Sequence, residues 1–190
     1  SEWLPGLPAD RIECIKRSMP NVGIAATPLD VFETSPARIW ELKRGNRHVV
    51  GLFNYDAAKP QHISVPVERL GFSTTGTVIY ALDYWTQKVS VVVGGELSAT
   101  LPPCGNSVLA LRKVSEHPQL LGTNRHITQQ FVDVRSESFD SAKNTLTVEL
   151  DVVGNDALKV TVLRRTMSGV SKLSGYQFSF GDVPALVQVS

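Results

Sequence analysis

Cysteine is scarce, charge is balanced and long apolar runs are missing from this chain of 190 residues. The only two cysteines, Cys14 and Cys104, lie far apart, one in a helical stretch and one in a Pro-Pro-Cys-Gly turn. That pattern excludes a disulfide framework and makes unpaired thiols the expectation. Nineteen basic residues against eighteen acidic ones leave a net charge of +1, with no basic stripe. Nothing here draws in a phosphate backbone by counterion release, so no nucleic-acid partner is expected. Apolar runs break every few residues, well short of the roughly 20 needed for a membrane helix, and no membrane partner is expected. No charged segment followed by an apolar core marks a signal peptide.

Catalytic motifs are missing as well. There is no glycine-rich phosphate loop and no Gly-x-Ser-x-Gly elbow. The four histidines, His48, His62, His117 and His126, have no partner at the spacing of metal ligands on one element. His62 alternates with apolar residues and is expected to face solvent from a strand. Glu149 and Asp151 share a strand face, and two carboxylates about 5–10 Å apart across a cleft serve glycoside hydrolysis. Theirs is the polar side of the strand, so a solvated face is the expectation. The sequence therefore offers no catalytic residue, no metal site and no cofactor site.

What is present is mostly β pattern. Only the beginning has a helical period: Ile12, Ile15 and Met19 recur at three- and four-residue spacing. Pro8 suits the first turn, Asp10 and Glu13 lie toward the positive end of the dipole, and Lys16 and Arg17 lie toward the negative end. Pro20 stops the segment. Leu4 and Leu7 stand nearby, and a stripe this apolar needs a cover. An irregular connection with Gly23, Pro28 and Pro36 follows, and from Ala37 the period becomes two.

Val49 and Phe53 share one strand face and Val50 and Leu52 the other, as in a strand covered on both sides. Ile63, Val65 and Val67 alternate with polar residues, and Pro66 pushes that strand toward an edge. Tyr80, Leu82 and Tyr84 oppose Ile79, Ala81 and Trp85. Gly94-Gly95 permits the positive φ angles of a two-residue turn, which predicts a hairpin between 89–93 and 97–101. Residues 108–114 complete the first unit. After a polar joint at 115–118, Leu146, Val148 and Leu150 alternate with polar residues, Gly154-Asn155-Asp156 turns, and Leu158, Val160 and Val162 alternate on a predicted return strand. Tyr176, Phe178 and Phe180 predict another strand, and Val187 and Val189 one more. The fold class is all-β: an antiparallel β-sandwich of two stacked β units preceded by one N-terminal helix. The divisions fall at 1–28 for the helical segment, 29–114 for the sandwich and 115–190 for a second, smaller antiparallel unit.

Asp83-Tyr84-Trp85 is the single aromatic-plus-acid cluster. A Trp beside a carboxylate grips a sugar by stacking on its C–H face while the acid takes hydroxyl hydrogen bonds. A Trp within a sandwich equally serves as core or domain interface. These three residues are the candidate carbohydrate-binding site.

The segments FETSPARIW (32–40), HVVGLFNYD (48–56), ISVPVERLGF (63–72), ALDYWTQK (81–88), LPPCGNSVLALRKV (101–114) and PQLLGTNRHITQ (118–129) occur in that order. Together they resemble the region C-terminal to the catalytic barrel in α-galactosidase (melibiase)-like glycoside hydrolases, over about residues 5–165. The last 25 residues match nothing in that pattern. The resemblance implies that LPADRIECIKRSMP (7–20) is the last barrel helix. It also implies that the family's two catalytic aspartates lie on barrel strands that no part of this chain matches. The implied function is a non-catalytic accessory region of a carbohydrate-active hydrolase that buttresses the barrel, with the barrel of a parent chain as its partner. A stand-alone carbohydrate-binding module and a subunit-assembly domain forming a homo-oligomer are the alternatives, because one sandwich hosts many functions.

Overall fold

Val49 and Val50 point to opposite faces of one strand, and both are buried. That double burial organises the architecture. The computed structural model describes residues 6–154, 156–165, 171–178 and 185–189. Leu4, Asn155 and Phe180, named above, lie outside the described residues. After helix α1 (Ala9–Ser18) come β1 (Thr27–Pro28), β2 (Ile39–Arg44), β3 (Arg47–Phe53), β4 (Gln61–Pro66), β5 (Ile79–Asp83), β6 (Val89–Val91), β7 (Glu96–Leu101) and β8 (Asn106–Lys113). A 3-10 turn, Val67–Leu70, follows β4. Next come β9 (Gln119–Thr123), the short helix α2 (Gln130–Asp133), β10 (Val134–Asp140), β11 (Thr145–Leu150), β12 (Leu158–Arg165), β13 (Ser171–Phe178) and β14 (Ala185–Val189). Among the described residues every strand pairing is antiparallel. The fold is thus the all-β sandwich with one N-terminal helix that the periodicity implies.

Six strands form the main sheet in the order β1-β2-β3-β8-β5-β6, and β4 pairs with β7 as its cover. Ile39, Val50, Leu52, Ile79, Leu109 and Leu111 point from the main sheet onto Ile63, Val65, Leu97 and Leu101 of the cover. The opposite face of the same sheet is equally apolar. Val49, Leu82, Tyr84, Val108 and Ala110 pack on Leu121, Phe131 and Leu163, with Val22 and Ile24 alongside. The remaining strands make two three-stranded sheets, β13-β12-β9 and β10-β11-β14. These enclose a third cluster of Leu120, Val134, Leu146, Val148, Leu150, Leu158, Val160 and Val162. Gly122 lies where β9 crosses the main sheet: a Cβ there would sit 2.3 Å from Gln129 Oε1 and 2.9 Å from Leu82 Cδ2.

Two expected hairpins are not hairpins. Gly94 and Gly95 do adopt positive φ, 69° and 74°. Yet β6 pairs with β5 while β7 pairs with β4, so the glycines carry the chain from one sheet to the other. Likewise β11 pairs with β10 and β14, whereas β12 pairs with β13 and β9. The alternating residues of β11 and β12 do meet, but across the core rather than across a ladder. β11 lies between β10 and β14, and β10 is joined to it by a loop in which Asp140 Oδ1 accepts from Ala142 N and Lys143 N.

A charged knot bridges the sheets. Glu137 on β10 accepts from Arg112 Nη2 at 2.8 and 3.0 Å, from Arg47 Nη2 at 3.0 Å and from Leu120 N at 2.8 Å. Burial pulls the Arg112 guanidinium below its ordinary pKa, and the Glu137 carboxylate opposes that pull.

Because the main sheet contributes to both apolar clusters on its faces, Leu52→Ala and Leu82→Ala should each cost about 2–5 kcal/mol. Urea unfolding followed by tryptophan fluorescence and circular dichroism should show one coincident transition for both variants. Separate transitions for the two probes would mean that the sheets unfold independently.

Candidate functional site

Helix α1 begins where Pro8 O accepts from Arg11 N and Ile12 N, and it ends with Met19 N donating to Ile15 O. None of its residues is buried. Ile15 and Met19 are 38% and 57% exposed and Ile12 is half-buried, so the apolar stripe read from the sequence is only partly covered. Polar contacts hold the helix instead. Arg17 Nη1 donates to Asn124 O at 2.8 Å, and Ile127 N donates to Arg17 O at 2.9 Å. The Arg17 guanidinium also pairs with Glu13 one turn back, at 2.6 Å.

Because α1 is held through one polar strip, it stands as a ridge with a cleft on either side. One cleft, of about 390 Å³, lies between Asp10, Glu13 and Cys14 of the helix and Tyr84, Trp85 and Asn124 of the body. The other, of about 890 Å³, has Ile15 and Met19 on one wall and Arg125, His126 and half-exposed Val153 on the other.

The three candidate sugar-binding residues have separate positions. Trp85 is 49% exposed, and its indole Nε1 donates to Asn106 Oδ1 at 2.7 Å. Tyr84 is buried on the face shared with Leu82, meeting the Trp85 ring edge-on at 4.9 Å. Its hydroxyl donates to Arg125 O at 3.2 Å. Burial raises that phenol above its ordinary pKa despite the nearby Arg17 guanidinium, so it remains a neutral donor. Asp83 Oδ1 accepts from Thr86 N and Thr86 Oγ1, and Oδ2 accepts from Ser107 Oγ, at 2.7–2.9 Å. The one aromatic face turned to solvent in this trio belongs to Trp85.

The carboxylate pair Glu149 and Asp151 sits on an open strand face opposite Arg135. Arg135 Nη2 is 2.7 Å from Asp151 Oδ1, and Arg135 Nη1 is 4.0 Å from Glu149 Oε1. The histidines serve separate roles. His48 Nδ1 meets Glu41 Oε1 at 2.6 Å, His62 Nδ1 meets Thr100 Oγ1, and His117 Nδ1 lies 2.8 Å from Pro118 O. Among the described residues no three His, Cys, Asp or Glu side chains gather as a metal site.

A buried polar network beneath the second cleft escapes sequence reasoning. Asp133, fully buried, takes Arg125 Nη2 and His126 Nδ1 on Oδ1, both at 2.8 Å, and Thr123 Oγ1 on Oδ2 at 2.6 Å. Arg125 Nη2 also donates to Asp151 O at 2.6 Å, and Asp151 N donates to Asp133 O. The Arg125-His126 pair stands out in the sequence, but its acceptor lies a turn and a short helix away, where no spacing rule reaches. Asn54, within the HVVGLFNYD segment, is a staple: its Nδ2 donates to the carbonyls of Lys59, Leu101 and Pro102.

Removing the Asp133 charge leaves a guanidinium at 5% exposure with no counter-ion. Asp133→Asn should cost about 3–5 kcal/mol in urea unfolding. Trp85→Ala, at an exposed position, should cost no more than about 1 kcal/mol. The reverse order would mean that the indole, and not the carboxylate network, holds this face together.

Curated proteins give no match. A solved structure of Arthrobacter globiformis T6 isomalto-dextranase complexed with panose is similar at 11% identity and a TM-score of 0.38, over 87% of this chain and 33% of that one. The chain thus spans about a third of that structure's length. A family model described as the alpha galactosidase C-terminal beta sandwich domain matches residues 35–111, the stretch from β2 into β8. Over those residues, the chain is similar to the alpha galactosidase C-terminal β-sandwich domain.

Proposed function

We propose that this chain is the non-catalytic C-terminal accessory region of a carbohydrate-active, α-galactosidase-like glycoside hydrolase, and that it buttresses a catalytic barrel through the face carrying α1 and Trp85. The family match over residues 35–111 carries the reading. The partly uncovered stripe supports it. Ile15, Met19 and Val153 stand exposed around one cleft, and fully burying each large side chain is worth about 1.5–3 kcal/mol. These side chains are already about half covered, so a partner seated on α1 gains about half of that burial, and such patches mark interaction surfaces.

A second reading, a stand-alone carbohydrate-binding module, is favoured by one observation: half of the Trp85 indole is open beside a cleft. Against it, Tyr84 is buried, and each Asp83 oxygen already accepts a hydrogen bond from within the protein. That leaves one exposed aromatic face where a two-ring platform needs two.

The test takes the purified chain with nitrophenyl α- and β-glycosides. No turnover is expected. Turnover that survives repurification and vanishes on substituting a single Asp or Glu overturns the accessory reading. Soluble galactosides should also give no saturable tryptophan quenching. A dissociation constant below roughly 0.1 mM, about 5.5 kcal/mol, that is lost in folded Trp85→Ala, selects the binding module instead.

A further inference from the structure

On another part of the molecule, the β2–β3 turn, the end of β8 and Gly71-Phe72 surround a cleft of about 520 Å³. Its lining is mostly apolar, and among the described residues that form it none is Asp or Glu. Lys43 and Lys113 stand on its rim, both exposed. Neither makes an ion pair among the described residues. Lys43 Nζ lies over Gly71, 3.0 Å from where a Cβ would stand, so a side chain at residue 71 would crowd the ammonium. The wall between the lysines includes Arg112, 4% exposed, whose Nη1 and Nη2 are engaged by Asn46 and Glu137 but whose Nε–H has no acceptor. The lining also includes the Phe72 ring, 4.4 Å from the His48 ring, which the Glu41 carboxylate holds in place.

Two unpaired ammonium groups, a buried guanidinium with a spare donor and an aromatic wall define a ligand chemistry. Glu137 already neutralises Arg112, so the charge that favours an anion is that of the two lysines, and low-dielectric walls strengthen the attraction. An aromatic wall beside them favours an anion that carries a flat or apolar body. We propose that this cleft binds a small organic oxyanion, a carboxylate or phosphate ester attached to a ring. It lies apart from the α1 face, so it adds a ligand site to the accessory role and does not depend on that role.

The test is a titration of the folded, nitrogen-15-labelled chain with benzoate, benzamide and inorganic phosphate, followed by amide chemical shifts. Benzoate should give saturable shifts centred on residues 43–48, 71–72 and 112–115. Benzamide, which keeps the ring and loses the charge, should bind about tenfold more weakly or worse, and so should benzoate to the Lys43→Ala/Lys113→Ala double variant. Both lysines are exposed, so the double variant should keep the parent spectrum elsewhere. Benzoate affinity should also fall as salt rises from 50 to 500 mM, values bracketing Debye lengths from about 14 to about 4 Å. Benzamide binding as tightly as benzoate, or a double variant with unchanged affinity, overturns the anion assignment. Phosphate binding as tightly as benzoate overturns the role given to the Phe72 wall. Phenyl phosphate, run in parallel, separates the two headgroups: the tighter of it and benzoate names the oxyanion.

Discussion

A sheet whose central strands are apolar on both faces must be covered twice, and the rest of the molecule answers that requirement. In β3, Val50 and Leu52 need one cover while Val49 needs another. The β4–β7 pair supplies the first. Strand β9, with Leu121, and the segment around Phe131 supply the second, which brings the later sheets against the first. Neither face of such a strand tolerates solvent, because exposing apolar area costs about 25 cal/mol per Å². The close approach at Gly122 follows from that contact, since β9 must pass near enough to meet Leu82.

Polar groups fix what apolar packing leaves free. Hydrophobic burial is non-directional, so sheets stacked by it alone can slide. Glu137 prevents that by joining β10 to Arg47 of β3, Arg112 of β8 and the backbone of β9. Asp133 does the same work beneath α1, taking three donors into one carboxylate. The Arg125 carbonyl then receives Tyr84, and the Asn124 carbonyl receives Arg17, so the network that anchors the short loop also anchors the helix. The helix is thus positioned by directional bonds while its apolar stripe stays partly open, a combination suited to presenting a face to a partner.

Much of this was legible in the sequence, and what was not shares a cause. Alternation reports which side of a strand avoids water, and it placed Val49 against Val50 and Tyr84 beside Leu82 correctly. Alternation does not report which strand lies alongside. That is why Gly94-Gly95 and the segment after β11 suggested hairpins where the chain in fact changes sheet. The Asp133 cluster was illegible for another reason: polar residues in a turn-rich stretch look solvated until a fold closes over them. Asp83 shows the converse, since an acid beside aromatic residues suggests ligand binding, and its oxygens instead serve Thr86 and Ser107.

The central claim, that the α1 face is a docking surface within a larger enzyme, meets its most direct test in the two thiols. Cys14 is exposed on α1 beside the Trp85 cleft, and Cys104 is exposed in the turn before β8. Both are free, so both should react with a maleimide reagent at similar rates in the isolated chain. The measurement is repeated on the chain expressed together with the coding sequence on its N-terminal side. Labelling of Cys14 should then fall by about tenfold or more while Cys104 keeps its rate, because docking on α1 covers one thiol and leaves the other open. Equal labelling of both thiols in that longer, folded protein would contradict the account.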